Sequence, residues 1–214
     1  MPEASLRHPA NLARWVRNQL VRFVGLPAGR IAQDYRRARR LAREQVVPLP
    51  HRPASDVSGG ARRVVVSLTT IPERVGVLMP TLLSLVEQTV QPDRILLALP
   101  QRSLRSGGAY TLPRHLPDGI EIIRCTDTGP STKLLPALLA EPDALIIAVD
   151  DDVIYARDFV ETILNWHLRR PEAVLGWIGL NIEQGVNPKL FRQIWGTGQK
   201  SPVAVDILLG HGGL

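Results

Sequence analysis

The apolar run Ala144-Leu145-Ile146-Ile147-Ala148-Val149, followed at once by Asp150-Asp151-Asp152, constrains this chain more than any other stretch. Such a run, set between Pro142-Asp143 and a block of charge, reads as a buried strand. Three carboxylates at the carboxyl end of a buried strand repel one another unless a cation or hydrogen-bond donors compensate them. In open α/β sheets that end of the strands is where ligands bind. The plainer alternative is a solvated acidic turn ahead of a helix.

The segments around this run alternate in the same way. Arg63 to Leu68, with three consecutive valines, reads as a buried strand, and Val77 to Gln88 as a helix with Leu78, Leu82, Leu83, Leu85 and Val86 on its inner face. Arg94 to Leu99 and Gly119 to Arg124 read as further strands. Lys133 to Leu139 reads as a helix ahead of the acidic strand. Phe159 to Leu168 is a helix and Ala173 to Trp177 a last strand. Strand–helix–strand repetition with short connections implies an α/β fold, a mostly parallel, Rossmann-like sheet with helices on both faces.

Charge separates the chain into two parts. Residues 1–60 hold 11 of the 26 Lys/Arg and 4 of the 20 Asp/Glu, a net +7; residues 61–214 hold the other 15 and 16, a net −1. The first part has a helical pattern from Asn11 to Val24 and a second, from Ile31 to Gln45, that is basic almost all round, as an exposed helix would be. Pro48, Pro50, Pro53 and Ser58-Gly59-Gly60 then read as a linker. The expected organisation is a basic helical N-terminal arm and linker over 1–60 and a folded domain over 61–214. No apolar run is long enough to span a bilayer, and arginines interrupt every apolar stretch before residue 60, so no signal peptide is read. The single Cys125 excludes an intramolecular disulfide and fits a reducing compartment. The expected location is cytoplasmic, with residues 1–45 as the segment for any peripheral contact with a membrane.

Two loops join the acidic cluster as candidates for chemistry. Thr69-Thr70-Ile71-Pro72-Glu73-Arg74 follows the first strand. Its hydroxyls and amides suit a nucleotide, and Arg74 can stack on a base or pair with phosphate. Alternatively Thr69 or Thr70 caps the next helix. Asp127-Thr128-Gly129-Pro130-Ser131-Thr132-Lys133 leads into a helix and combines a glycine, hydroxyls and a lysine, an arrangement suited to an anion. A plain helix capped by Ser131 or Thr132 is its alternative. The carboxylates of Asp150–Asp152 suit Mg²⁺ or Mn²⁺, hard cations that share their shell with substrate phosphates.

Taken together, Val64 to Arg74, Gln88-Thr89, Gln91-Pro92-Asp93, Gly129 to Leu134 and Val149 to Asp152 resemble bacterial glycosyltransferases of the GT-A fold, similar to family 2. The resemblance covers roughly residues 62–214. It implies a nucleotide-sugar-dependent enzyme whose D-x-D element touches the ribose with one carboxylate and a divalent metal with another. Asp150 or Asp151 then takes the ribose side, and Asp152, together with Asp150, the metal. Thr69, Thr70 and Arg74 match the nucleotide grip, and Lys133 a basic position near the sugar-diphosphate. The implied partners are a nucleotide-diphosphate sugar and an acceptor of unknown kind, whether glycan, lipid or protein. No nucleic acid is expected.

The chain departs from that group beyond the acidic strand. A catalytic base is usual there, and none is identified among Asp158, Glu161, Glu172, Glu183, Asp206 and His211. The stop just after Gly210-His211-Gly212-Gly213 looks like truncation. Two other readings stay open. One is a truncated transferase domain that only binds nucleotide-sugar. The other is a haloacid-dehalogenase-type phosphatase, with Asp150 as nucleophile and Asp152 as acid/base.

Overall fold

The computed structural model describes residues 28–47, 49–58, 60, 62–182, 191–195 and 202–209. Helix α1 (Ala28–Leu41) and the single turn α2 (Ala54–Val57) come first. Strand β1 (Val64–Thr69), helix α3 (Met79–Val86), β2 (Arg94–Pro100), β3 (Ile120–Cys125), helix α4 (Leu135–Ala140), β4 (Leu145–Ala148) and helix α5 (Phe159–Arg169) follow. Three further strands, β5 (Ile178–Ile182), β6 (Phe191–Trp195) and β7 (Ile207–Leu209), complete the described chain.

The first four strands form one all-parallel sheet in the order β3-β2-β1-β4. Val64-Val65-Val66 can sit in its interior because β-branched side chains fit a pleated surface buried on both faces. On one face Val64, Val66 and Leu68 join Leu78, Leu82 and Leu85 around α3, and Phe159, Val160, Ile163 and Leu164 of α5. The other face carries a smaller cluster, Val65, Leu96, Ile146 and Ala137 of α4. Here α4 covers thinly, leaving Leu135, Leu138 and Leu139 exposed. Helices therefore lie on both faces, as the alternating pattern implies.

This topology has one consequence for function. The chain leaves β1 through α3 on one face, whereas it enters β4 from α4 on the other. The strand order thus reverses between β1 and β4, the kind of switch point at which open α/β sheets have a ligand crevice beyond the carboxyl ends of their strands.

Three expectations are corrected. Ala173 to Trp177 is not a strand. The amide of Ala173 bonds back to the Arg170 carbonyl in a turn, Val174 is exposed, and Trp177 stacks toward Phe159 at 6.4 Å. The strand begins instead at Ile178 and belongs to a separate antiparallel sheet, β6-β5-β7. The second basic helix runs over Ala28–Leu41 and is not exposed all round, because Ala38 and Leu41 are buried. Finally, part of the expected linker is integral to the domain. Ala54 lies in the main core cluster, and Pro53 makes a parallel bridge to Gln91. The helical pattern of Asn11 to Val24 lies outside the described residues. Among the described residues, no helix is long and apolar enough to cross a membrane.

Candidate functional site

The loops that follow β1, β3 and β4 bring most of the singled-out residues to that crevice. Thr70, the first residue after β1, donates its hydroxyl to Asp151 Oδ2 at 2.6 Å, and Arg74 donates to Asp151 Oδ1 at 2.7 Å. The same guanidinium lies 3.4 Å from Asp152 Oδ2. On the other side Lys133 Nζ meets Asp150 Oδ1 at 2.5 Å. Three adjacent carboxylates therefore face two cations drawn from two different loops.

The three aspartates have different surroundings. Asp151 is turned inward, only 6% exposed, with both carboxylate oxygens engaged by Thr70 and Arg74. Asp150 and Asp152 reach solvent, with side chains 23% and 37% exposed. Desolvation alone would lower the pKa of Arg74. The charge and hydrogen bond of Asp151, with Asp152 and Asp150 behind them, outweigh it and raise the pKa.

The loops themselves are shaped by local bonds. After β1 a 3₁₀ turn runs over Pro72–Val77; its N-cap is Ile71, with no side-chain cap, so neither threonine serves that role. Thr69 instead donates to the Ala98 carbonyl at 2.8 Å within the sheet, away from the aspartates. Tyr110, from the loop after β2, holds the Thr70 carbonyl at 3.1 Å. After β3 a second 3₁₀ turn spans Gly129–Lys133, so Lys133 closes a tight turn rather than opening a helix. Gly129 adopts φ +69°, a left-handed conformation suited to glycine. Asp127 organises this loop by accepting from the Leu104 amide at 2.7 Å and the Gly129 amide at 2.8 Å. These bonds, the Leu104 amide first, hold its carboxyl below the ordinary aspartate value. Thr132 is buried and accepts from the Thr128 amide at 2.8 Å. Burial pushes the Cys125 thiol up, the opposite of what a nucleophile needs.

A second set of residues, unmarked as functional in the sequence, holds the acidic turn from beneath. Thr81 donates to the Asp151 carbonyl at 3.0 Å. Ser84 accepts from the Tyr155 amide at 3.0 Å, and the Gln88 side-chain amide donates to the Ala156 carbonyl at 2.8 Å. All three are buried, and their three- and four-residue spacing along α3 and its end forms a polar stripe beside the apolar face. That stripe was the available signal. Buried polar groups require partners, and here those partners are the loop carrying the aspartates.

The remaining acidic residues beyond β4 lie elsewhere or are not described. Glu161 binds Arg52 at 2.7 Å and Thr89 at 2.9 Å, and Asp206 is exposed. Glu183 and His211 lie outside the described residues. Among the described residues, no group of three or more His, Cys, Asp or Glu side chains is arranged to hold a metal. What the turn offers is two solvent-reaching carboxylates, the donor number and hardness that suit Mg²⁺ or Mn²⁺ when phosphates complete the shell.

The fold and site define an α/β protein with a parallel sheet and an acidic, cation-compensated crevice at its switch point. No family model matches the chain, and comparison with curated proteins finds none similar in sequence.

Proposed function

We propose that the chain is a glycosyltransferase of GT-A type that binds a nucleotide-diphosphate sugar in the β1/β4 crevice and passes the sugar to an acceptor. One observation carries this reading. Arg74, Lys133 and Asp150–Asp152, drawn from three loops, meet at the sheet edge where such ligands bind. Asp150 and Asp152 fit a divalent cation, Mn²⁺ or Mg²⁺, which when bound supplies electrostatic stabilisation of a leaving diphosphate.

The chain's own residues do the rest. Lys133 and Arg74 would supply the positive charge that faces the phosphate oxygens, beside the partly exposed Asp150 and Asp152. Thr70 and Arg74 together fix Asp151, which keeps the turn in place while its neighbours face the ligand. No described residue is assigned as the base for the acceptor.

The test is release of nucleoside diphosphate from a panel of nucleotide sugars, with and without Mn²⁺, by wild type and Asp152→Ala. The reading predicts Mn²⁺-dependent release that Asp152→Ala abolishes. Binding without release would reduce the chain to a nucleotide-sugar-binding domain. A covalent phosphate on Asp150, or turnover of phosphomonoesters, would favour the phosphatase reading instead.

A further inference from the structure

The basic helix α1 approaches the acidic turn through Arg37. Arg37 donates NH1 to the Tyr155 carbonyl at 2.6 Å. At its other end the Tyr155 hydroxyl accepts the Asp150 amide at 2.8 Å. The ring between them is 2% exposed and packs on Phe159 with centroids 4.5 Å apart, so it behaves as a rigid strut. Asp150 is the aspartate that faces Lys133.

Among the described residues, α1 holds the domain through a polar node beside the buried Ala38 and Leu41. Arg37 and Arg40 grip the buried carboxylate of Glu87 at 2.9 and 2.5 Å. Arg157, from the loop just beyond Tyr155, binds the same carboxylate at 3.0 Å, and the Val47 amide adds a fourth bond at 3.0 Å. Glu87 thus ties the N-terminal helix, the end of α3 and the segment after the acidic turn into one node.

We infer that α1 is a positioning element of the acidic site: Arg37, acting through Tyr155, sets the backbone of the Asp150–Asp152 turn. Arg37 and Tyr155 are positioning residues, and they act on whatever ligand the turn binds. Only the effect on a nucleotide diphosphate rests on the function proposed above; the coupling itself does not.

The test is amide hydrogen exchange on the ligand-free full chain, read by NMR at Asp150, Asp151 and Asp152 and at strands β1 and β2. Tyr155→Phe keeps the ring but removes the acceptor, and should speed exchange at Asp150 about tenfold, as expected for one lost hydrogen bond. Arg37→Ala should speed exchange at the same amides while β1 and β2 stay at wild-type rates. The double variant should match the stronger single one, because both act along one path. Arg36→Ala, an exposed neighbour on the same helix, should change nothing. If Arg37→Ala does not fold, Arg37→Lys decides, with a smaller shift in the same direction. Wild-type exchange at the turn in the Arg37 variants would overturn the inference. So would equal acceleration of β1 and β2, or effects that multiply in the double variant.

Discussion

Glu87→Gln offers a worked test of the node beneath the acidic turn. The Glu87 side chain is fully buried and takes bonds from Arg157, Arg37, Arg40 and the Val47 amide. Burial alone would raise its pKa. The three guanidiniums and the amide overcome that and push it from an ordinary 4.5 down to about 2. That drop corresponds to about 3 kcal/mol between the charged and protonated forms. Because the folded-state value is the lower one, the contribution is fully present above about pH 4.5 and is lost as pH falls through about 2. Urea unfolding followed by circular dichroism between pH 7 and pH 2 measures it. At neutral pH Glu87→Gln should be less stable by about 3 kcal/mol or more, since three guanidiniums lose their shared counter-charge. Toward pH 2 the two stability curves should converge, because a protonated Glu and a Gln are nearly isosteric. Glu121 and Asp127, also held below their ordinary values, titrate in both proteins and cancel in the difference. Parallel curves across this range would refute the reasoning.

Further outcomes follow from the same contacts. Asp151→Ala strips the buried Thr70 hydroxyl of its 2.6 Å acceptor and should cost about 2–4 kcal/mol in chemical denaturation; an unchanged midpoint would contradict the assignment. Lys133→Met should weaken binding of a nucleoside diphosphate about tenfold, or 1.4 kcal/mol, by calorimetry while leaving the melting temperature close to wild type. Gly179→Ala would set a Cβ 2.6 Å from both γ-carbons of Val205, so calorimetry should show a loss of about 1–3 kcal/mol; wild-type stability would disprove that packing of β5.

The parallel sheet was legible because β1, β2 and β4 are short apolar runs, as buried strands require, and the edge strand β3 alternates. The acidic cluster was legible because charge directly follows such a run. Thr70, Arg74 and Lys133 were reachable from their place after strands. Asp151 was named for the ligand from its place in the acidic run; that its carboxylate also bonds Thr70 and Arg74 is visible only in the tertiary structure. The roles of Arg37, Arg40 and Glu87 were hidden for a different reason. A helix rich in arginine reads as solvated, and only tertiary structure reveals that two of those arginines converge on a carboxylate distant in sequence. The strand placed at Ala173 to Trp177 failed because apolar content alone does not separate a turn with one packed tryptophan from an extended segment.

The central claim is that the β1/β4 crevice binds a diphosphate through Asp150 and Asp152 with a divalent cation. Calorimetric titration of several nucleoside diphosphates, with and without Mn²⁺, on wild type and Asp152→Ala tests it directly. The account predicts Mn²⁺-dependent binding in the wild type that is lost in Asp152→Ala. Binding that ignores Mn²⁺, or that survives the substitution unchanged, would contradict it.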